Sequence, residues 1–382
     1  MNLVESFGKS VCDYFLPLID NNSEAICNDS TSQMITAIGT LGIGLLGAKA
    51  IHSSYRSFRP IGSSLFESAK MGDFSGVKTW IQKGFDVNTI DSDSGETPLI
   101  AASGNGYTSI VRGLLKIANP DIGKISDGNT AMHIACAKNH SPVVQALIDG
   151  RADLNVKNNK EMTPLMVSIE ANANGPFNVL VEARGISLNK QDIDGNTALH
   201  FAGEKNFDIF VRDLLNKGAG VNIENKKKEL PLHAAASSGW LKNIQLLIPK
   251  TTDVNAREIK GKTPFFRAVE KFHEEGALEL LKTANPDIPD EEKTYPIHVA
   301  AKGSDGDFSL ALKLVQSKKV NFNVQDKKGN TPAHIAAEVG GESVLKALKE
   351  AGADFTIINE EGETPLGIAL KKGKGVNILL QS

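Results

Sequence analysis

The sequence predicts an all-α repeat solenoid of about ten short helix–turn–helix units, and two observations carry that prediction. A Thr-Pro-Leu-His-like motif returns at positions 97, 130, 163, 197, 230, 263, 295, 331 and 364, so the spacings are 33, 33, 34, 33, 33, 32, 36 and 33 residues. Each return is followed by two stretches whose apolar residues recur at helical intervals. The composition agrees: 382 residues that are 41% hydrophobic and 23% charged make a folded chain, neither disordered nor collagen-like. A formal net charge of -3 removes the broad electrostatic argument for nucleic acid as a partner. Three cysteines, Cys12, Cys27 and Cys136, are too few for a disulfide framework and point to a reducing compartment, with a bridge between Cys12 and Cys27 left open.

In chain order, residues 1–60 come first and contain no copy of the motif. From Ser30 to Ala48 runs a stretch of 19 residues without a charge, rich in glycine. As a helix it would be roughly 28 Å long, close to the core of a bilayer. Asp13, Asp20, Glu24 and Asp29 precede it and Lys49, Arg56 and Arg59 come after it, an asymmetry that would leave the repeats in the cytoplasm. A cleaved signal peptide fits poorly, because some thirty mostly acidic or polar residues come first. Residues 30–50 thus admit two readings: membrane association through this segment, or a separate helical segment packed on the first repeat or on residues 11–19. Within it Gly42-Ile-Gly-Leu-Leu-Gly47 matches a dinucleotide fingerprint, but too few residues remain before the repeats to complete a nucleotide-binding sheet.

Residues 61–382 hold the array, opening on a degenerate copy, Ser64-Leu-Phe-Glu-Ser-Ala-Lys-Met-Gly-Asp73. Asp194 to Asn222 serves as the regular specimen. Asp194-Gly195 makes a tight turn in which glycine supplies positive φ. Thr197 caps the first helix, and the next slot, Ala198 here and Pro in most copies, suits a first turn that needs no N–H. Leu199 and Ala202 face inward, Phe210, Val211, Leu214 and Leu215 form the stripe of a second helix, and Gly218 ends it. Val221-Asn222 then opens an extended arm, as do Lys83-Gly-Phe-Asp-Val-Asn88 and Gly150-Arg-Ala-Asp-Leu-Asn155. Departures are expected to make local irregularities where Glu161 and Lys228 replace the turn glycine, where Leu230 and Tyr295 replace the threonine, and where about three extra residues fall around Gly303–Gly306 and Lys318–Val320. The weaker middle copies around Glu161 and Lys228 are expected to open before the ends. The last copy is a truncated cap with Lys371 and Lys372 turned outward.

These residues resemble the ankyrin repeat family, whose unit combines Thr-Pro-Leu-His, an Ala pair, a Leu pair and Gly-Ala-Asp-Val-Asn; the resemblance covers about five sixths of the chain. It implies stacked helix–turn–helix units with β-hairpin-like tips and a concave, protein-binding surface. It also implies which slots point outward. Here they hold Gln191, Ile193 and Glu204; Lys226 and Lys227; Arg257, Ile259 and Lys262; Glu270 and Lys271; and Gln325, Lys327 and Glu338. Ile193 and Ile259 are apolar where a plain turn would be polar, and exposed apolar groups ringed by charge anchor partners. The run Lys226-Lys-Lys228 favours an acidic one.

The residues that suggest catalysis fall into the repeat instead. His133, His200, His233, His298 and His334 share one slot, so they read as structural groups near a helix start. Cys136 reads as a small core hydrophobe. Gly261-Lys262-Thr263 ends like a phosphate-binding loop, yet no apolar strand precedes it and the repeat already accounts for each residue. No zinc, CxxC-pair or nucleophile-elbow motif occurs, so neither a metal, a cofactor nor an enzyme is expected. The leading expectation is a non-catalytic scaffold that binds a protein partner, in the manner of eukaryotic adaptors or of ankyrin-repeat effectors that intracellular bacteria deliver to a host cell. The alternatives are an adaptor whose N-terminus recruits a modifying enzyme and a membrane-active protein using the glycine-rich helix. Leu16-Pro17 also opens like an F-box, although the glycine-rich continuation lacks that module's Leu and Trp pattern.

Overall fold

The computed structural model describes residues 64–376. The uncharged span 30–50, the fingerprint at 42–47, the F-box-like opening and Cys12 and Cys27 lie outside them. Nineteen α-helices and no strand occur among the described residues, two helices to a unit and one in the last. Unit 1 is α1 (Leu65–Met71) and α2 (Phe74–Gln82), unit 2 is α3 (Pro98–Gly104) and α4 (Thr108–Leu114), and unit 3 is α5 (Ala131–Ala137) and α6 (Ser141–Asp149). Units 4 to 6 are α7 (Pro164–Glu170) with α8 (Asn174–Glu182), α9 (Ala198–Glu204) with α10 (Asp208–Asn216), and α11 (Pro231–Ser238) with α12 (Leu241–Leu247). Units 7 to 9 are α13 (Pro264–Glu270) with α14 (Glu274–Leu280), α15 (Pro296–Lys302) with α16 (Ser309–Ser317), and α17 (Pro332–Val339) with α18 (Glu342–Glu350). Unit 10 is α19 (Pro365–Lys372). Each odd helix packs on the next odd helix and each even one on the next even one, giving two layers.

The core is one continuous seam between those layers. Leu199, Ala202, Phe210, Val211 and Leu214 are buried as the spacing requires, and Leu215 is half-buried at its edge. Phe177 of α8 meets Phe210 of α10 at 4.4 Å between ring centroids, so the apolar contact runs from unit to unit rather than closing within one.

Helix starts obey a division the sequence only half discloses. Where the fourth residue of the motif is not histidine, the threonine hydroxyl accepts the free N–H of the first turn: Thr97 from Ile100, Thr163 from Met166, Thr263 from Phe266 and Thr364 from Gly367. Where it is histidine, the cap is different. The backbone N–H of Thr197 donates to His200 Nδ1 at 3.1 Å, and Thr197 makes no hydroxyl cap of the expected kind. Leu230 and Tyr295 are tolerated at this position for the same reason: their N–H groups donate to Nδ1 of His233 and His298, so no hydroxyl is required.

Two expected irregularities are corrected. Glu161 and Lys228 stand in the left-handed region, at φ 56 and 61, and donate to the carbonyls of Asn158 and Asn225 as Gly195 donates to that of Asp192. The turn is therefore kept and the strain accepted. The three extra residues of unit 8 all sit between α15 and α16, where Ser304 and Asp307 bridge across a turn at Asp305 and Gly306. Lys318–Val320 contains none of them, and Val320 is buried as Ala219 is in the regular copy, although Lys318 ends α16 at φ 55 where Lys217 stands at φ -85. No helix among the described residues is long and apolar enough to cross a membrane.

Candidate functional site

Three hydrogen-bonded rows tie unit to unit and thereby hold the outer residues in line. The first is the arm row. Asn88, Asp121, Asn155, Asn189, Asn222, Asn255, Asp287 and Asn323 each accept, through a side-chain oxygen, a backbone N–H of the next unit at 2.7–3.1 Å. The second is the histidine row. Nδ1 accepts at the helix start, so Nε2 carries the proton and donates to a carbonyl of the next unit: Met162 for His133, Glu229 for His200 and Glu363 for His334, each at 2.9 Å. Burial lowers all five histidines, His233 to about 4, which keeps the rings neutral and matches a site that offers one donor and one acceptor. These histidines are structural, as their shared slot implied. Cys136 is fully buried and its thiol is pushed up by desolvation, so it has no nucleophilic character.

The third row runs through the tips. Ile193 N–H donates to Lys160 O, Lys226 to Asp194, Ile259 to Lys227 and Glu291 to Lys260, every bond at 2.9 Å. After the longer unit 8, the tips of units 8 and 9 are joined by the ion pair of Lys327 with Glu292 at 2.8 Å, each raising or lowering the other's pKa toward the charged state.

Against this frame the expected outward slots separate into three groups. Gln191, Arg257 and Gln325 engage the frame itself. Each donates to the carbonyl of its own turn glycine and to the following unit: Gln191 Nε2 to Gly195 and Glu224, Arg257 to Gly261 and Pro289, Gln325 Nε2 to Gly329 and Ile358. Lys262 and Glu270 join a half-buried cluster. Lys262 Nζ lies 2.5 Å from Glu270 Oε1 and over the Phe266 ring, while Arg267 reaches Glu229 at 3.3 Å, Glu270 at 3.5 Å and the Ser237 hydroxyl at 2.9 Å. That engagement leaves nothing of a phosphate loop at 261–263. The remaining slots are on the surface. Ile193 and Ile259 are 47% and 50% exposed on alternate tips, with exposed Lys226 and Lys227 on the tip between them. Glu204, Lys271 and Glu338 are exposed along the odd helices, Glu338 3.9 Å from Lys372.

The structure adds residues that motif counting missed. Ile125, 69% exposed, occupies the Ile193 position on the tip of unit 3. Its turn is one residue longer, the bond running from Lys124 to Asn129 rather than from Asp192 to Asn196, so counting back from Thr130 lands beside it. On the odd helices Ile134, Phe201, Val299 and Ile335, all half-buried, make an apolar row that Arg267 interrupts. Among the described residues no cluster of His, Cys, Asp and Glu could hold a metal.

Two-layer stacking, capped odd helices and a bonded row of tips define a class, helical-repeat proteins of the ankyrin kind. The ankyrin-repeat family model matches residues 65–158, 139–225, 199–290 and 297–382, and the chain belongs to that family. Among relatives, Rabankyrin-5 of Mus musculus is 29% identical over 59% of this chain, and the transient receptor potential cation channel subfamily A member 1 of Homo sapiens is 29% identical over 66%. The E3 ubiquitin-protein ligase KEG of Arabidopsis thaliana is 24% identical over 79%. The chain spans only 19%, 24% and 20% of the length of these three proteins. Ankyrin repeats are protein-binding units.

Proposed function

We propose that the chain is a non-catalytic scaffold whose partner lies along the tips and the odd-helix face, the concave face in ankyrin stacks. The observation that carries this reading is the tip row, where apolar Ile193 and Ile259 stand about half exposed on a backbone fixed by unit-to-unit hydrogen bonds. A rigid backbone lowers the ordering cost of binding, and exposed isoleucine gains most from being covered. Ile193, Lys226, Lys227 and Ile259 form the tip contact; Glu204, Lys271 and Glu338 flank it on the helices. Gln191, Arg257, Lys262, Glu270, Gln325 and Lys327 position those residues and meet the partner through what remains exposed of them.

Photo-crosslinking side chains placed at Ile193, Glu204 and Ile259 in full-length protein inside cells test this, with Gln145 and Gln245 on the even helices as controls. Adducts of defined mass from the first three sites alone are expected. Equal adducts from the controls, or none from the tips, would overturn the reading.

We further propose that residues 30–50 hold the array at a membrane with the repeats in the cytoplasm, on the strength of the uncharged 19-residue run and its acidic-to-basic flanks. Carbonate-extracted membranes should retain the full chain and release one lacking residues 1–60. Release of both would refute the anchor.

A further inference from the structure

Units 5 to 7 present a local charge that the chain as a whole does not have. Their tips carry Ile193-Asp-Gly195, Lys226-Lys-Lys228 and Ile259-Lys-Gly261, four positive charges against one negative in a chain of net charge -3. Lys226, Lys227, Lys228 and Lys260 are exposed. Further along the row the sign alternates: Glu291 and Glu292 stand beside Lys293 on the tip of unit 8, Lys327 and Lys328 on that of unit 9, where Lys327 is paired with Glu292, and Glu360 and Glu361 on that of unit 10. From unit 5 to unit 8 the pattern along the row is apolar, basic, apolar, then acidic. We propose that these three tips bind an extended acidic segment of a protein that presents two apolar side chains, one to Ile193 and one to Ile259, with carboxylates between them for Lys226, Lys227 and Lys228. This names the partner chemistry of the tip contact proposed above and rests on that reading.

The geometry sets the spacing. Ile193 and Ile259 are two units apart, and at roughly 8–10 Å for each layer of packed helices the span is about 16–20 Å. An extended chain advances about 3.3 Å per residue, so side chains about six residues apart on one face of the segment reach both isoleucines. Carboxylates at the second and fourth positions between them fall on the same face. A nucleic acid fits less well. It has no apolar group for either isoleucine, and a phosphate backbone continuing along the row would meet Glu291 and Glu292.

Lys228 supplies a variant that separates binding from folding. It holds φ 61 where Gly195 and Gly261 stand in the neighbouring turns, so Lys228→Gly removes a charge from a position that glycine suits. The test is fluorescence anisotropy with full-length protein and 13-residue peptides carrying two leucines four to eight residues apart and glutamates or glutamines between. Tightest binding is expected at a spacing of six with glutamates. About tenfold weakening is expected for Glu→Gln peptides, for Lys228→Gly, and for Lys226→Gln combined with Lys227→Gln, each growing smaller at high salt. Binding that ignores the spacing or the glutamates, that persists unchanged in the lysine variants, or that a single-stranded oligonucleotide matches would overturn the proposal. If tip crosslinks persist in cells while the peptides fail, the acidic segment falls and the protein-binding reading stands.

Discussion

At the scale of single residues, the neutral histidines make the fold sensitive to acid. His233 is held near 4 by burial against an ordinary value of 6.5, so between those values the unfolded chain binds a proton that the folded chain refuses. Its contribution is fully present above about pH 6.5 and falls away as the pH drops toward 4. For that shift the loss approaches about 3 kcal/mol, and the four other histidines are lowered in the same direction. Urea midpoints should therefore fall steeply from pH 6.5 to 4.5, and His233→Gln should flatten the profile while lowering the midpoint at pH 7. Lys293 makes the opposite case. It sits at φ 57 in a turn where six other tips place glycine, and Lys293→Gly should raise stability by up to about 1 kcal/mol in equilibrium unfolding.

At the scale of elements, the helices are short because two partners share the work of ending and starting them. Seven to nine residues would not stay helical alone, and the caps and neighbouring units supply what propensity does not. Asn243 at the start of α12 illustrates this. Its side-chain amide, buried, donates to the carbonyls of Ala202, Gly203 and Lys205 at the end of α9, in the preceding unit. Asn243→Ala should cost about 2–3 kcal/mol by thermal unfolding, since the α9 carbonyls would be left without that donor in a dry position.

The elements were largely legible because the Thr-equivalent positions repeat and each helix stripe has the period of a helix. Ile193 and Ile259 were legible as apolar residues inside a turn. Ile125 was not, because the one-residue lengthening of its turn breaks the count from Thr130. Gln191, Arg257 and Gln325 looked like free surface because one of the two acceptors of each lies in the following unit, a relation that no spacing within one copy reveals. The row of Ile134, Phe201, Val299 and Ile335 was hidden for a different reason: half-burial on the odd helices depends on the neighbouring unit, whereas helical period distinguishes only in from out.

At the scale of the molecule, stability is the sum of units and of the contacts between neighbours, so position in the row matters as much as sequence within a copy. The middle tips at Glu161 and Lys228 keep their bonds to both neighbours, whereas α19 has a described neighbour on one side and leaves Leu370 58% exposed. Hydrogen exchange should therefore be slowest in α9 to α13 and fastest in α19. The reverse order would restore the expectation that the middle copies open first.

The three bonded rows lie along the arms, the helix starts and the tips, while the even helices meet one another through buried apolar side chains and a few exposed side-chain pairs such as Arg112 with Asp149 and Lys217 with Glu182. Hydrogen bonds resist changes of length more sharply than apolar contacts, which slide. The bonded side thus behaves as a cord of fixed length and the even-helix side as a compressible flank. Bending should take place about the cord, closing or opening the flank, and the distance between Ile193 and Ile259 should hardly change as the stack flexes. A ligand measured against those two residues would meet a ruler whose marks stay put while the rest of the molecule breathes.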